Sequence, residues 1–230
     1  MIQAIIALLA ALMLAACAGA PPATSAPAPS ITQPVRAEPS PIESPTASHE
    51  IAASPNAKLR EELLAMMAED QAVRTGVAPP GDDRTAEELF DAWPQVDADN
   101  ALRMREIMDE FGWPGWSLVG EDGALAAWVL IQHADHNLDL QKRGLAMMQA
   151  AVEADDADPS DLAYLVDRVR VAQGLPQVYG TQLGVDAEGQ IAPRTPIEDE
   201  ANVDARRAAA GLGTLEEYYE EFTEAMETDP

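Results

Sequence analysis

The sequence predicts a mainly α fold: a single helical domain with one small β-hairpin, preceded by a signal peptide and a disordered linker. Three observations predict it. Apolar residues recur at helical spacing through most of residues 56–230, capping signals separate those stretches, and one segment alone, near 177–192, shows short strand-like runs around Gly and Asp. A chain of 230 residues buries enough core to need neither disulfide nor metal. Its single cysteine, Cys17, permits no intramolecular disulfide and leaves the helical part without a thiol nucleophile or a Cys-based zinc site.

The chain begins MIQAIIALLAALMLAACAGA. The apolar run from Ala4 to Ala16 is shorter than the roughly 20 residues a membrane-spanning helix needs, so residues 1–16 read as a secretory signal. Leu14-Ala15-Ala16-Cys17 resembles a bacterial lipobox, although no Lys or Arg precedes the apolar run. That resemblance implies cleavage before Cys17 and lipidation of its side chain. Each buried acyl methylene contributes about 0.8 kcal/mol, so two or three chains hold a protein firmly on a membrane. Ala18 stands where an inner-membrane lipoprotein tends to carry Asp, which points to a lipid anchor in the cell envelope on the periplasmic face of the outer membrane. Residues 17–55 follow as a tether. The segment 18–55 holds nine prolines and scarcely any large apolar residue, so ordering it would cost more than its burial returns. Its typical reach is about 35 Å.

Ser54-Pro55 reads as a cap with proline at the first helical position, opening the domain of residues 56–230. Leu59, Leu63, Met66 and Val73 form a helical stripe, and Asp70 and Arg74 fall on the same face as an i,i+4 couple able to pair. After a Pro/Gly/Asp loop and the stretch AEELFDAW, a second helix is expected from about Asp97 to Glu110, with Met104, Ile107, Met108 and Phe111 inward. FGWPGW breaks it, and Trp113 and Trp116 either line a pocket or plug the end of the core. Ala124 to Ile131 is apolar all round, a helix buried on every side, with His133 at the edge of the interior. Asn137 to Glu153 is a further helix. Asp158-Pro159 caps the next, whose inner face is Leu162, Leu165, Val166 and Val169. Asp167 points nearly opposite, on a side shared with Tyr164 and Val171. GLPQVYGTQLGVDAEGQIA then reads as strands Gln177 to Leu183 and Gly189 to Ala192. A helix through NVDARRAAA ends at Gly211-Leu-Gly213, and Thr214-Leu-Glu-Glu217 is a capping box that opens an acidic last helix.

Charge narrows the partners. The formal net charge is −26, and residues 56–230 carry 13 Lys and Arg against 37 Asp and Glu. A polyanion would be repelled over most of that surface, so no nucleic acid is expected as a partner.

Several uncommon strings occur in one order: the Met67 to Arg74 stretch M-A-E-D-Q-A-V-R, the Gly112-Trp113-Pro114 loop, QHAD at Gln132 to Asp135, LAYLVDRV at Leu162 to Val169, GLPQVYGTQ at Gly174 to Gln182, PIED at Pro196 to Asp199 and VDARRAAAGL at Val203 to Leu212. This series, covering roughly Leu59 to Tyr218, resembles an uncharacterised bacterial family of domains of unknown function. The resemblance implies that the polar strings belong together in one domain and carries no activity with it.

No phosphate loop, dinucleotide fingerprint, HExxH pair or GxSxG elbow is present. A metal site would have to combine His133 and His136 with carboxylates such as Asp135, Asp139 or Asp167, and nothing fixes that spacing, so no cofactor is expected. The better constellation uses His133 as acid/base, since histidine titrates near neutrality, with Asp135 or Asp167 to orient it. Arg168 and one of Arg206 or Arg207 would grip an anionic group, Tyr179 and Gln182 would hydrogen-bond the ligand, and Asp70 with Arg74 would be either a structural pair or part of the site. The expected function is therefore a membrane-tethered envelope protein, held through lipidated Cys17, with a polar pocket for a small or peptide-like anionic ligand and hydrolytic chemistry at His133. The alternative is a non-catalytic envelope scaffold or interaction protein whose polar motifs lock helices together. Tyr179 and Gln182 stand three apart, on opposite faces of a regular strand, so both reach one pocket only if Gly180 bends the chain.

Overall fold

A computed structural model describes residues 55–187 and 189–228. The signal, Cys17, the tether and Ser54 lie outside the described residues. Seven helices and a two-stranded antiparallel hairpin follow one another among those described: α1 (Ala57–Thr75), α2 (Ala86–Phe111), α3 (Trp116–Gln132), α4 (Leu138–Glu153), α5 (Pro159–Ala172), β1 (Leu183–Val185), β2 (Ile191–Pro193), a 3₁₀ turn (Glu200–Asn202), α6 (Val203–Ala209) and α7 (Leu215–Thr228). The mainly helical class with one small hairpin is thus the observed fold. None of the described helices is long and apolar enough to cross a membrane.

Helix α3 is the axis of the core, and its composition explains why. Ala126, Ala127, Trp128, Val129, Leu130 and Ile131 are all buried, which requires neighbours on every side. Leu59 and Leu63 of α1, Met104, Ile107 and Met108 of α2, Leu140 and Met148 of α4, Leu165 and Val169 of α5, and Tyr218 and Phe222 of α7 supply them. Helix α1 packs on α2 and α3, and α4 on α5. Trp113 and Trp116 are partly buried against this core. At Gly120 the backbone leaves helical geometry (φ 75°, ψ 173°). The long buried segment therefore starts afresh at Glu121 and Asp122, where acidic side chains suit a helix N-terminus.

Caps account for most boundaries. Asn137 accepts from the Leu140 N–H, Asp158 from the Ser160 N–H with Pro159 just behind it, and Thr214 and Glu217 form a reciprocal box. The first boundary corrects the sequence reading, because the cap of α1 is Asn56, whose side chain accepts from the Leu59 N–H. The second helix is also longer than expected. AEELFDAW and the stretch after Asp97 are one helix of 26 residues that runs through Pro94. An interior proline costs about 3 kcal/mol, and contacts on both sides of it offset that cost. Leu89 is fully buried before it, and the Trp93 indole N–H reaches across it to donate to Asp97, which in turn meets Arg74 of α1. Phe111, expected inward, is 37% exposed.

The hairpin corrects the reading most. Its paired strands are Leu183–Val185 and Ile191–Pro193, and residues 177–182 are not a strand. They form a loop fastened by side chains: the N–H groups of Val178, Tyr179 and Thr181 all donate to the Asp167 carboxyl, and Gln177 exchanges bonds with the backbone of Gln182. Backbone donors spent on a carboxyl group cannot build a ladder. Gly180 makes the turn possible at φ +69°, where an added Cβ would also stand 2.7 Å from Ile197 Cδ1. A left-handed conformation costs an L-residue roughly 1–2 kcal/mol, so Gly180→Ala is expected to lower the melting temperature by about 2–8 °C. An unchanged melting temperature in that variant would contradict the assignment of the loop.

Candidate functional site

His133 ends α3 as its C-cap residue and is 6% exposed. Its Nδ1 lies 2.7 Å from Asp70 Oδ2, a partner 63 residues away on α1. Sequence reasoning placed Asp135 or Asp167 in that role, and the structure gives it to Asp70. Asp70 also accepts from Arg74 Nε at 3.1 Å and from Gln71 Nε2 at 2.9 Å. Arg74 reaches on to Asp97 at 2.5 Å and lies over the Trp93 ring, 4.7 Å from its centroid. The result is a continuous chain of Trp93, Asp97, Arg74, Asp70 and His133, buried from Arg74 to His133 and half-buried at Trp93 and Asp97.

The electrostatics of this chain follow from burial and pairing. Burial lowers the His133 pKa below its ordinary 6.5 and outweighs the Asp70 carboxylate, with Arg74 and Arg168 adding to the depression. For Asp70, burial pushes upward, but the bond from His133 and the nearby positive charge of Arg74 hold the carboxyl below its ordinary 3.8. Asp97 is pushed up by burial despite Arg74. At neutral pH His133 is therefore a neutral imidazole whose Nδ1–H is donated to an ionised Asp70. Its other nitrogen, Nε2, has no hydrogen-bond partner among the described residues.

Beside it lies a second knot. Arg168 of α5 forms a two-point pair with Asp135, Nε to Oδ1 at 2.8 Å and Nη2 to Oδ2 at 2.6 Å, and donates through Nη1 to Gln182 Oε1 at 3.1 Å. Asp135 is held below the usual carboxylate range by Arg168, against the upward push of burial. Gln141 of α4 donates to both Asp135 and the Gln132 carbonyl. The side-chain oxygens of Gln132 and Gln141 are buried without a donor among the described residues. Each such orphan costs about 1–3 kcal/mol, so two beside His133 mark a place where acceptors outnumber the donors the domain supplies.

The other expected residues are placed elsewhere. Asp167 is fully buried and spent on the loop, accepting from three backbone N–H groups and from Thr181 Oγ1. Tyr179 donates its backbone N–H to Asp167, and its carbonyl accepts from Arg207. Its phenol makes no hydrogen bond among the described residues, and its pKa is raised by burial and by Asp167. Gln182 turns instead to Arg168. The bend at Gly180 therefore sends the two side chains to different partners. Arg207 is 2% exposed and bonds the carbonyls of Gly213 and Tyr179. His136 is exposed, and no group of three or more metal-capable His, Cys, Asp or Glu occurs among the described residues. Sequence reasoning missed Trp93, Asp97 and Gln141. Trp93 and Asp97 are an i,i+4 pair, hidden because Pro94 reads as a break.

A family model matches residues 57–228 of the chain, the same span that carries both polar knots. The chain belongs to DUF6624, a family of unknown function. No curated protein and no solved structure matches it. The match places the polar strings of this DUF6624 domain, from Asp70 to Arg207, within one family unit and assigns none of them a role.

Proposed function

We propose that this DUF6624 protein is a membrane-tethered lipoprotein of the cell envelope, on the periplasmic face of the outer membrane. In this reading its helical domain binds a small or peptide-like anionic ligand and acts on it by His133-centred acid/base chemistry of a hydrolytic kind. The observation that carries the reading is the Asp70–His133 pair, in which one ring nitrogen is fixed on a buried carboxylate and the other has no partner among the described residues. Asp70 sets the Nδ1–H tautomer, so the Nε2 lone pair is the basic site. The carboxylate also stabilises the imidazolium formed when Nε2 takes a proton from water or a ligand hydroxyl. The lipobox-like Leu14-Ala15-Ala16-Cys17 supports the tether.

A second reading, the envelope scaffold, is favoured by one specific observation: Asp167, Arg74 and Arg168 are fully engaged with other groups of the domain. One experiment separates the two. The purified domain is screened with short peptides and small carboxylate and phosphate metabolites, reading melting temperature and product mass, for wild type and His133→Gln. The acid/base reading expects a ligand that raises the melting temperature of both proteins and is consumed by wild type at least 100-fold faster. Equal consumption by the two proteins would contradict it, and a screen in which no compound shifts either protein would favour the scaffold.

A further inference from the structure

Buried and half-buried arginines of this domain follow a rule with one exception. Arg60, Arg74, Arg84, Arg103, Arg143, Arg168, Arg170 and Arg206 each form an ion pair with a carboxylate. Arg207, which ranks with the largest fully buried side chains, forms none among the described residues. Its Nε donates to the Gly213 carbonyl at 2.7 Å and its Nη1 to the Tyr179 carbonyl at 2.9 Å, while Nη2 has no acceptor among the described residues. The guanidinium lies over the Tyr218 ring, 5.1 Å from its centroid. A buried cation with no carboxylate in contact is costly, and although Asp204 and Asp167 act on it from a distance, the lack of a direct ion pair in a domain so rich in carboxylates is a specific feature of this place.

Arg207 also lines a cavity of about 270 Å³ between the start of α5 and the start of α7. Tyr164, Leu212 and Tyr218 give it an apolar and aromatic wall, and Glu217 and Glu221 stand on the same lining. Glu217 is committed to the cap of α7 through the Thr214 N–H. Glu221 has no hydrogen-bond or ion-pair partner among the described residues. The cavity thus presents a guanidinium and, as a second charge, the carboxylates of Glu217 and Glu221, with no ion pair between the two charges among the described residues. A simple anion would satisfy the first and be repelled by the second. A molecule with both charges satisfies both.

We propose that this cavity is a binding site for a small zwitterion of the amino-acid or short-peptide class, its carboxylate on Arg207 and its ammonium on Glu221. Desolvation of the guanidinium, which also depresses its pKa, strengthens its attraction for a carboxylate relative to a solvated arginine. The aromatic wall receives small apolar side chains. This inference goes beyond the proposed function and is independent of the acid/base role of His133, which does not line the cavity.

The test is calorimetric titration of the domain with alanyl-alanine, its N-acetylated form and its C-terminal amide. Saturable binding of the free dipeptide is expected, at least 10-fold weaker for each blocked form. Arg207→Lys keeps the charge but loses the Nη2 donor left over from the Gly213 and Tyr179 carbonyls, and is expected to weaken binding several-fold. Glu221→Gln, on an exposed residue, leaves the fold intact and removes the preference for the free dipeptide over the acetylated one. His133→Gln leaves binding unchanged, which separates failure of this site from failure of the acid/base reading. No saturable binding of the free dipeptide, or equal affinity for free and acetylated forms in wild type, would overturn the proposal.

Discussion

Replacing Asp167 by alanine is expected to destabilise the domain by about 3–5 kcal/mol, among the largest effects open to a single substitution here. The reason lies in what the carboxyl group holds. Val178, Tyr179 and Thr181 donate backbone N–H groups to it at 2.6 to 3.2 Å, and the Thr181 hydroxyl adds a bond at 3.0 Å. Alanine would leave those donors buried beneath a loop with no ladder to join. For a domain of this size the melting temperature should fall by roughly 6–20 °C. Asparagine should recover little, because its amide would point N–H groups at the donors of one side. Hydrogen exchange adds a local readout: the amides of Val178, Tyr179 and Thr181 should lose protection before those of α3. A loss under about 1 kcal/mol would mean that the loop is held by other contacts.

Asp70→Asn is expected to cost a comparable amount, about 3–5 kcal/mol, because it removes one partner from a buried ionic chain and leaves Arg74 with Asp97 alone. It should also change how stability depends on pH. His133 has a folded pKa below its ordinary 6.5, so between the two values the unfolded chain binds a proton that the folded chain does not. Stability is then complete above about pH 6.5 and falls as pH drops toward the folded value, with a limiting slope of about 1.4 kcal/mol per pH unit. Asp70 acts in a lower window. Its folded pKa lies below 3.8, so its contribution is present above that value and is lost as pH falls through the folded value. In Asp70→Asn the acid loss below about pH 4 should shrink. The His133 slope should persist or extend to lower pH, since the carboxylate that favours the imidazolium is gone. His133→Gln should remove the slope below pH 6.5 and also shrink the low-pH loss, since the bond from His133 helps hold the Asp70 carboxyl low. Urea denaturation from pH 3 to 8 on the three proteins checks both signs.

Much of the fold was legible in the sequence because its signals are local. Apolar stripes placed α1, α4 and α5, the run from Ala124 to Ile131 identified the buried helix, and Asp158-Pro159 and Thr214 to Glu217 marked helix starts that the structure keeps. The two larger departures have one cause, which is that distant contacts overrode local rules. Pro94 reads as a break, yet α2 continues through it because Leu89 and the Trp93–Asp97–Arg74 contacts hold both sides. Residues 177–182 read as a strand, yet Asp167 takes their backbone donors. The candidate site divides the same way. Asp70 and Arg74 were legible as an i,i+4 pair and His133 as an edge residue. Their union, across 63 residues, depends on how α1 packs against α3, which spacing along the chain does not encode. Arg207 was legible only as one of two arginines, because its lack of a carboxylate in contact is a property of the folded neighbourhood.

The state of His133 is the most direct test of this account. Imidazole ¹⁵N shifts of the domain, followed from pH 4 to 8, should show His133 neutral at pH 7, protonated on Nδ1 and unprotonated on Nε2, with a midpoint below 6.5 that moves lower still in Asp70→Asn. A His133 that is doubly protonated at pH 7, or that carries its proton on Nε2, would contradict the account, because Nε2 would then have no lone pair to accept a proton.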